Sequence, residues 1–344
     1  AERLLAAFGE KRAVWAVLAS SFLIGLPLFF EVGFVILAPL AISLARTTGR
    51  SLLYYGLPIA CALTVTHAMV PPHPAPAAAA QLFHADLGKV ILYGIAVSIP
   101  MTLAGVAYAA WISNRFFLPV PPHAPAPAPD ANPPSPWLVA VLLILPVILI
   151  FGGTLYPAMG FFGHPFTALT VTTLAAMYVF GVRRGLDRGQ MGKLANDCLA
   201  PMGSLLAIMG GGGAFKQVIV DTGVGPYAGR LLVDAQISPL VLAYFVACAM
   251  RIAQGSATVA IITAAGIVAP LVKDVPGYSP EMLVLAICAG GTVLSHVNDA
   301  GFWLVNQTYG MTVPQSLKTW TVMKVITSVA GILLILACQA LVAR

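Results

Sequence analysis

The chain has 344 residues, of which 59% are hydrophobic and only 9% charged. A soluble domain carries about 25% charged residues, so a soluble globular fold is excluded and an all-α polytopic membrane protein in contact with the lipid bilayer is implied. The formal net charge of +6 sits mostly in short loops, with no basic patch interleaved with aromatics, which argues against a nucleic-acid partner. The five cysteines (Cys61, Cys198, Cys248, Cys288, Cys338) stand singly inside apolar runs, so they read as packed small residues rather than as disulfides or metal ligands.

Residues 1–12 are short and polar, with Arg3, Lys11 and Arg12. An apolar stretch then runs over 13–45, interrupted at Gly25-Leu-Pro-Leu-Phe-Phe-Glu-Val-Gly33. A crossing needs roughly 20 residues, so two full spans and a loop fit poorly. Basic residues flank both ends of the stretch, which places both on the cytoplasmic side. The expectation is a re-entrant helical hairpin with Glu31 near its tip; the alternative is a pair of spans with Glu31 in their loop.

Residues 52–82 read as a membrane helix broken at Thr66-His-Ala-Met-Val-Pro-Pro-His-Pro-Ala-Pro76, because this proline cluster cannot continue a helix. His67 and His73 lie at that break. A return helix over 89–113 follows. The proline-rich segment 116–135 favours extended polyproline II and reads as a cytoplasmic linker between two halves, or as a recognition peptide for an SH3-like partner.

Spans are expected at 136–153 and 165–182, and the basic loop 183–193 is cytoplasmic by its charge. The glycine run 210–213 lacks the spacing of a phosphate-binding loop, so a discontinuous helix with Lys216 and Asp221 near its break is expected. A second long apolar run, 239–272, is interrupted at Arg251-Ile-Ala-Gln-Gly-Ser-Ala-Thr258 and flanked by Asp234, Lys273 and Asp274. Counting spans from the basic loop makes it a hairpin that enters from the external face. A second broken helix covers 280–308, and a last helix covers 319–342.

The polar block of 280–308 is Ser295-His-Val-Asn-Asp-Ala-Gly301, set between apolar flanks. A carboxylate at the centre of a membrane helix costs roughly 2.5–3.5 kcal/mol on insertion scales, so Asp299 is expected to face a polar cavity. Gly290, Gly291 and Gly301 allow the helix to break there and free backbone groups for an ion or solute.

The chain thus divides into a first repeat at 1–115, the linker at 116–135 and a second repeat at 136–344. Each repeat has a hairpin followed by a broken helix, and the two hairpins open from opposite faces. That is an inverted-topology repeat, whose interface is the expected solute site. Matching the repeats also predicts roughly one hundred further N-terminal residues carrying spans that the first repeat lacks.

These residues resemble the gluconate permease family (gluconate:H⁺ symporters and relatives), within the ion-transporter superfamily of elevator carriers. The matching runs are the 25–34 segment, Val65-Thr-His with Pro71-Pro-His-Pro-Ala-Pro76, and Gly212-Gly-Ala-Phe-Lys-Gln-Val-Ile-Val-Asp221. Gly255-Ser-Ala-Thr-Val-Ala260, Thr263-Ala-Ala-Gly-Ile-Val-Ala-Pro270 and Ser295-His-Val-Asn-Asp-Ala-Gly-Phe-Trp303 complete the set. The linker at 116–135 is more proline-rich than the family pattern. The resemblance implies secondary active transport of a sugar acid or small hydroxy acid in a bacterial inner membrane, driven by protons, often as a homodimer. Idonate, fructuronate-like acids and D-serine are substrates of other members.

A gluconate-like anion needs a cation for its carboxylate and amides or hydroxyls for its polyol chain. Arg251 is the first choice for the carboxylate, because its planar fork suits that geometry. Ser256, Thr258, Ser295, His296, Asn298 and the backbone at Gly255 are the expected polar contacts from the second half, with Thr66 and His67 from the first. Glu31 and Asp299 are the leading proton carriers, one cycling and the other ordering the site. Neither a cofactor nor a resident metal is expected. A Na⁺-coupled carrier of the same fold is the rival reading, since carbonyls freed at helix breaks bind Na⁺ without a charged residue. A membrane-embedded metalloenzyme using His67, His73, His296 and Asp299 is the remote one, as no HExxH-type cluster is present.

Overall fold

The computed structural model describes residues 2–121, 135–199, 218, 221–222, 238–272 and 275–342. The centre of the proline-rich linker, the glycine run with Lys216, and Asp234, Lys273 and Asp274 lie outside the described residues.

Helix α1 (Glu2–Gly25) and helix α2 (Phe30–Thr48) are separated by a turn at Leu26–Phe29, where Pro27 ends helical continuity. Helix α3 (Leu52–Met69) stops before Pro71 and Pro72, and α4 (Pro74–Leu82) restarts with proline in its first turn, where the missing N–H costs nothing. Asp86 caps α5 (Leu87–Arg115) by accepting from the Lys89 N–H at 2.8 Å. Then come α6 (Pro136–Leu155), the single turn α7 (Gly160–Gly163), α8 (Pro165–Ala176) and α9 (Arg188–Leu199).

In the second half, α10 (Pro239–Gln254) and α11 (Ala257–Val272) are joined by a two-residue turn at Gly255–Ser256. Helix α12 (Pro280–Gly291) is followed by irregular backbone over 292–299 and then α13 (Ala300–Thr308). Leu294 in that break adopts a left-handed conformation with φ 45°, an uncommon state for a branched side chain. The chain closes with α14 (Val313–Ser316), a π-helical turn at Leu317–Thr321 and α15 (Val322–Val342).

The core forms around α3 and α12, whose residues are almost all buried. Helix α3 packs against α1, α2 and α5, and α12 packs against α10, α11 and α15. The halves also cross over: α11 rests on α4 of the first half, and α2 of the first half rests on α13. Arg50 and Glu10 form an ion pair, so the part of α1 just past its kink at Gly9 lies beside the end of α2. Cys61, Cys248 and Cys288 are buried free thiols.

Among the described residues, five helical stretches are long and apolar enough to cross a membrane: Phe30–Thr48, Leu52–Leu82, Leu87–Arg115, Phe166–Arg184 and Val313–Ala340. Side chains such as Val35, Ile36, Leu103, Val329 and Leu333 are exposed, as expected of surfaces facing lipid. Helices α10 and α11 have 16 residues each, about 24 Å of rise at 1.5 Å per residue, which is short of a hydrocarbon core of about 30 Å.

Candidate functional site

A polar cavity of about 220 Å³ opens where the α1–α2 turn region, α3, the α10–α11 turn, the 292–299 break and the last helix meet. Phe30 and Glu31 reach it from the first turn of α2, and Thr64 and His67 from α3. The α10–α11 turn and its flanks supply Arg251, Gln254, Gly255, Ser256 and Thr258; the break supplies Asn298 and Asp299, and the start of α13 Gly301; the last helix supplies Trp320 and Lys324. Three helices, α2, α11 and α13, begin at this cavity. Unpaired N–H groups and the helix dipole give each such end roughly half a positive charge, which favours an anion there.

The α10–α11 turn is locked onto the break by named contacts. Gly255 sits at φ +76°, the left-handed state that ends α10, and its N–H donates to the Arg251 carbonyl at 3.0 Å. The Arg251 side chain is 2% exposed; its guanidinium donates to the Gly255 carbonyl and pairs with the Asp299 carboxylate. Asp299 also accepts from the Ser295 hydroxyl and, as the cap of α13, from the Gly301 N–H at 3.0 Å. Ser295 in turn accepts from the Trp320 indole N–H at 2.7 Å, and the Thr321 hydroxyl donates to the Ser295 carbonyl. The π-helical turn of the last helix therefore holds the break in place. Asn298 donates its amide N–H to the Ile252 carbonyl at 2.9 Å, a further tie between break and turn.

The first half shows a parallel arrangement. His73, at the α3–α4 break, donates a ring N–H to the Gly25 carbonyl at 2.9 Å, and its ring lies 4.6 Å from that of His67. Phe29 in the α1–α2 turn packs on both imidazoles, at 5.6 and 5.9 Å between centroids. Here too a helix–helix turn is seated against a broken helix. His67 Nδ1 is buried without a hydrogen-bond partner among the described residues.

The candidate residues therefore separate by position. Glu31, His67, Arg251, Gly255, Ser256, Thr258, Asn298 and Asp299 line the cavity. Thr66, Ser295 and His296 do not. Thr66 is fully buried and its hydroxyl donates to the Ala62 and Leu63 carbonyls, which commits its one donor to its own helix. Ser295 lies behind Asp299 and bridges it to Trp320, so its contact with the cavity is indirect. Arg251 reaches the cavity with its charge already matched by Asp299.

Lys324 was missed in the sequence. It lines the cavity, is 2% exposed and donates to the Thr64 hydroxyl at 2.7 Å. The signal was present: a lysine inside an apolar run of membrane length marks a functional position by default. Thr64 and Trp320 carried no comparable signal, since each is an ordinary residue of an apolar helix.

The comparisons with known proteins agree with one another. The family model described as GntP family permease matches residues 1–342. The gluconate permease of Pseudomonas aeruginosa is 44% identical over 98% of this chain and 78% of its own length. The high-affinity gluconate transporter of Escherichia coli K12 is 40% identical over 96% of this chain and 78% of its own length. The Gnt-II system L-idonate transporter of the same organism is 39% identical over 99% of this chain and 80% of its own length. Among solved structures, the YdaH transporter of Alcanivorax borkumensis, described as having an unusual topology, has a TM-score of 0.65 at 15% identity. That match covers 94% of this chain and 77% of YdaH, and shows a shared fold alone. A multi-pass helical chain with a polar cavity at its centre, matched by one permease family over almost its whole length, is a transporter rather than an enzyme: the chain belongs to the GntP family of permeases.

Proposed function

We propose that the chain carries gluconate or a closely similar sugar acid across the bacterial inner membrane, coupled to protons, by alternating access between two inverted repeats. The observation that carries the reading is the cavity itself. It combines two cationic side chains and three helix N-termini with the hydroxyl and amide groups of Ser256, Thr258, Gln254 and Asn298. That is the complement of a molecule with one carboxylate and several hydroxyls. The relatives named for gluconate and idonate transport support the same class. In this reading the α1–α2 and α10–α11 pairs are re-entrant hairpins from opposite faces, 1–115 and 136–344 are the two repeats, and the unit formed by hairpins and broken helices moves as an elevator. A homodimer supplies the fixed frame.

The carboxylates take different roles. Asp299 is committed to Arg251, Ser295 and the start of α13. Glu31 lines the cavity and makes no ion pair among the described residues, so it is the group free to load a proton. A negative substrate and an ionised Glu31 repel in so small a space, so acid and proton enter together.

Uptake of labelled gluconate into proteoliposomes, with the pH gradient and Na⁺ varied independently, tests this. Accumulation driven by an acid exterior and indifferent to Na⁺ is expected. Accumulation that needs Na⁺ would refute proton coupling and move the coupling site to the backbone of the two breaks. Glu31→Gln is expected to abolish gradient-driven accumulation while labelled gluconate still exchanges for unlabelled. Wild-type accumulation in that variant would remove Glu31 from the coupling step.

A further inference from the structure

Resting on that substrate class, we infer that Lys324, not Arg251, is the residue that binds the substrate carboxylate and so selects acids over neutral sugars. The inference starts from unmet demand. An ammonium has three donors, and Lys324 uses one, on the Thr64 hydroxyl. The Trp320 ring, 5.7 Å from Nζ, adds a face that favours a cation but cannot accept a full hydrogen bond. Among the described residues no carboxylate lies within ion-pair distance of Lys324, although the side chain is 2% exposed. A buried charge without a counter-ion is costly, and a cavity wall is where a counter-ion can arrive and leave.

Arg251 presents the opposite case. The contrast is one of charge: Asp299 neutralises Arg251 and a further N–H group is spent on the Gly255 carbonyl, while Nε is buried without a hydrogen-bond partner among the described residues. A substrate carboxylate at Arg251 would share a cation whose charge Asp299 already meets, and one that took the place of Asp299 would undo the cap of α13 and the bond to Ser295. Arg251 therefore acts as a positioning residue that seats the α10–α11 turn, and among the described residues the cavity cation left for a transported anion is Lys324. Its place on the last helix also gives the anion a contact outside both turns, and the hydroxyl groups of the turns are left for the polyol end.

The test is equilibrium binding of labelled gluconate, and of gluconamide, its uncharged amide, to the purified full chain in detergent. Wild type is expected to prefer the acid. Lys324→Met is expected to lose about 10- to 100-fold in gluconate affinity, the scale of a charge-assisted hydrogen bond, and to bind acid and amide alike. Gluconamide affinity should stay within about threefold of wild type, since the amide owes little to the cation. Lys324→Arg should retain preference for the acid. Methionine at this site relieves the burial of a charge, so the variant is expected to remain monodisperse with an unfolding temperature no lower than wild type. If Lys324→Met keeps the wild-type preference for acid over amide, the assignment is overturned while the sugar-acid reading stands. A wild type that binds neither compound, or both equally, overturns the sugar-acid reading and the assignment with it.

Discussion

Asp299→Asn is expected to destabilise the folded protein by about 3–5 kcal/mol and to abolish uptake, the scale seen when one partner is removed from a buried ion pair. Asparagine keeps one oxygen for the Gly301 N–H, so the start of α13 is still capped, but it sets an amide NH2 where the Ser295 hydroxyl and the guanidinium meet the second oxygen. What it loses is the negative charge opposite a guanidinium that is 2% exposed, which leaves Arg251 charged and uncompensated. Denaturant titration in mixed micelles measures the loss. The double variant Arg251→Met, Asp299→Asn removes the stranded charge and is expected to recover most of the stability without recovering uptake. A single variant within about 0.5 kcal/mol of wild type would show that the pair does not hold the α10–α11 turn.

Gly255→Ala is expected to reduce uptake by about 100-fold, with destabilisation of about 2–5 kcal/mol. The two physical components are a left-handed residue with a side chain, about 1–2 kcal/mol, and a steric clash of about 1–3 kcal/mol. The clash is severe because an added Cβ would lie 2.2 Å from the Asn298 carbonyl oxygen and 2.7 Å from its carbon. Those are backbone atoms of the break and cannot rotate aside. The turn must lift, and the Arg251 contacts to Gly255 and Asp299 lift with it. Gly277→Ala is the control, since Gly277 is also left-handed at φ +88° but has open space where its Cβ would go. It bears only the conformational cost, and uptake near the wild-type level is expected. Equal loss of uptake in both variants would remove the close approach of turn and break from the explanation.

Much of the architecture could be read locally. Pro71, Pro72 and Pro74 act on the backbone where they stand, so the interruption of 52–82 was visible, and the structure puts it at residues 70–73. The polar block around Asp299 was visible because polar groups in an apolar run are costly and need a reason. The breadth of that block was less readable: the helix ends at Gly291, so the irregular backbone begins at Thr292, three residues before Ser295. The linker and the discontinuous helix expected around the glycine run 210–213 depended on composition alone, and most of both lies outside the described residues.

The candidate site was legible as a set of residue types and not as a set of contacts. Helix α3 is apolar on nearly every face, so its pattern does not say that Thr64 and His67 face a cavity while Thr66 turns into its own backbone. A hydroxyl reads the same in either role. Arg251 was expected to await a substrate, yet its matched charge depends on Asp299, 48 positions away in the chain.

What the sequence alone determined is the membrane class and the interruptions at the proline cluster and at the polar block, because each follows from residues acting on their own backbone or on the surrounding solvent; the family followed from the resemblance of its motifs. Which polar group faces the cavity, which is already paired, and that Lys324 meets Thr64 across 260 positions of chain were decided only by the tertiary structure. A buried charge takes its role from the partners that packing brings within about 3 Å, and that distance is set by how helices meet rather than by the order of residues along them.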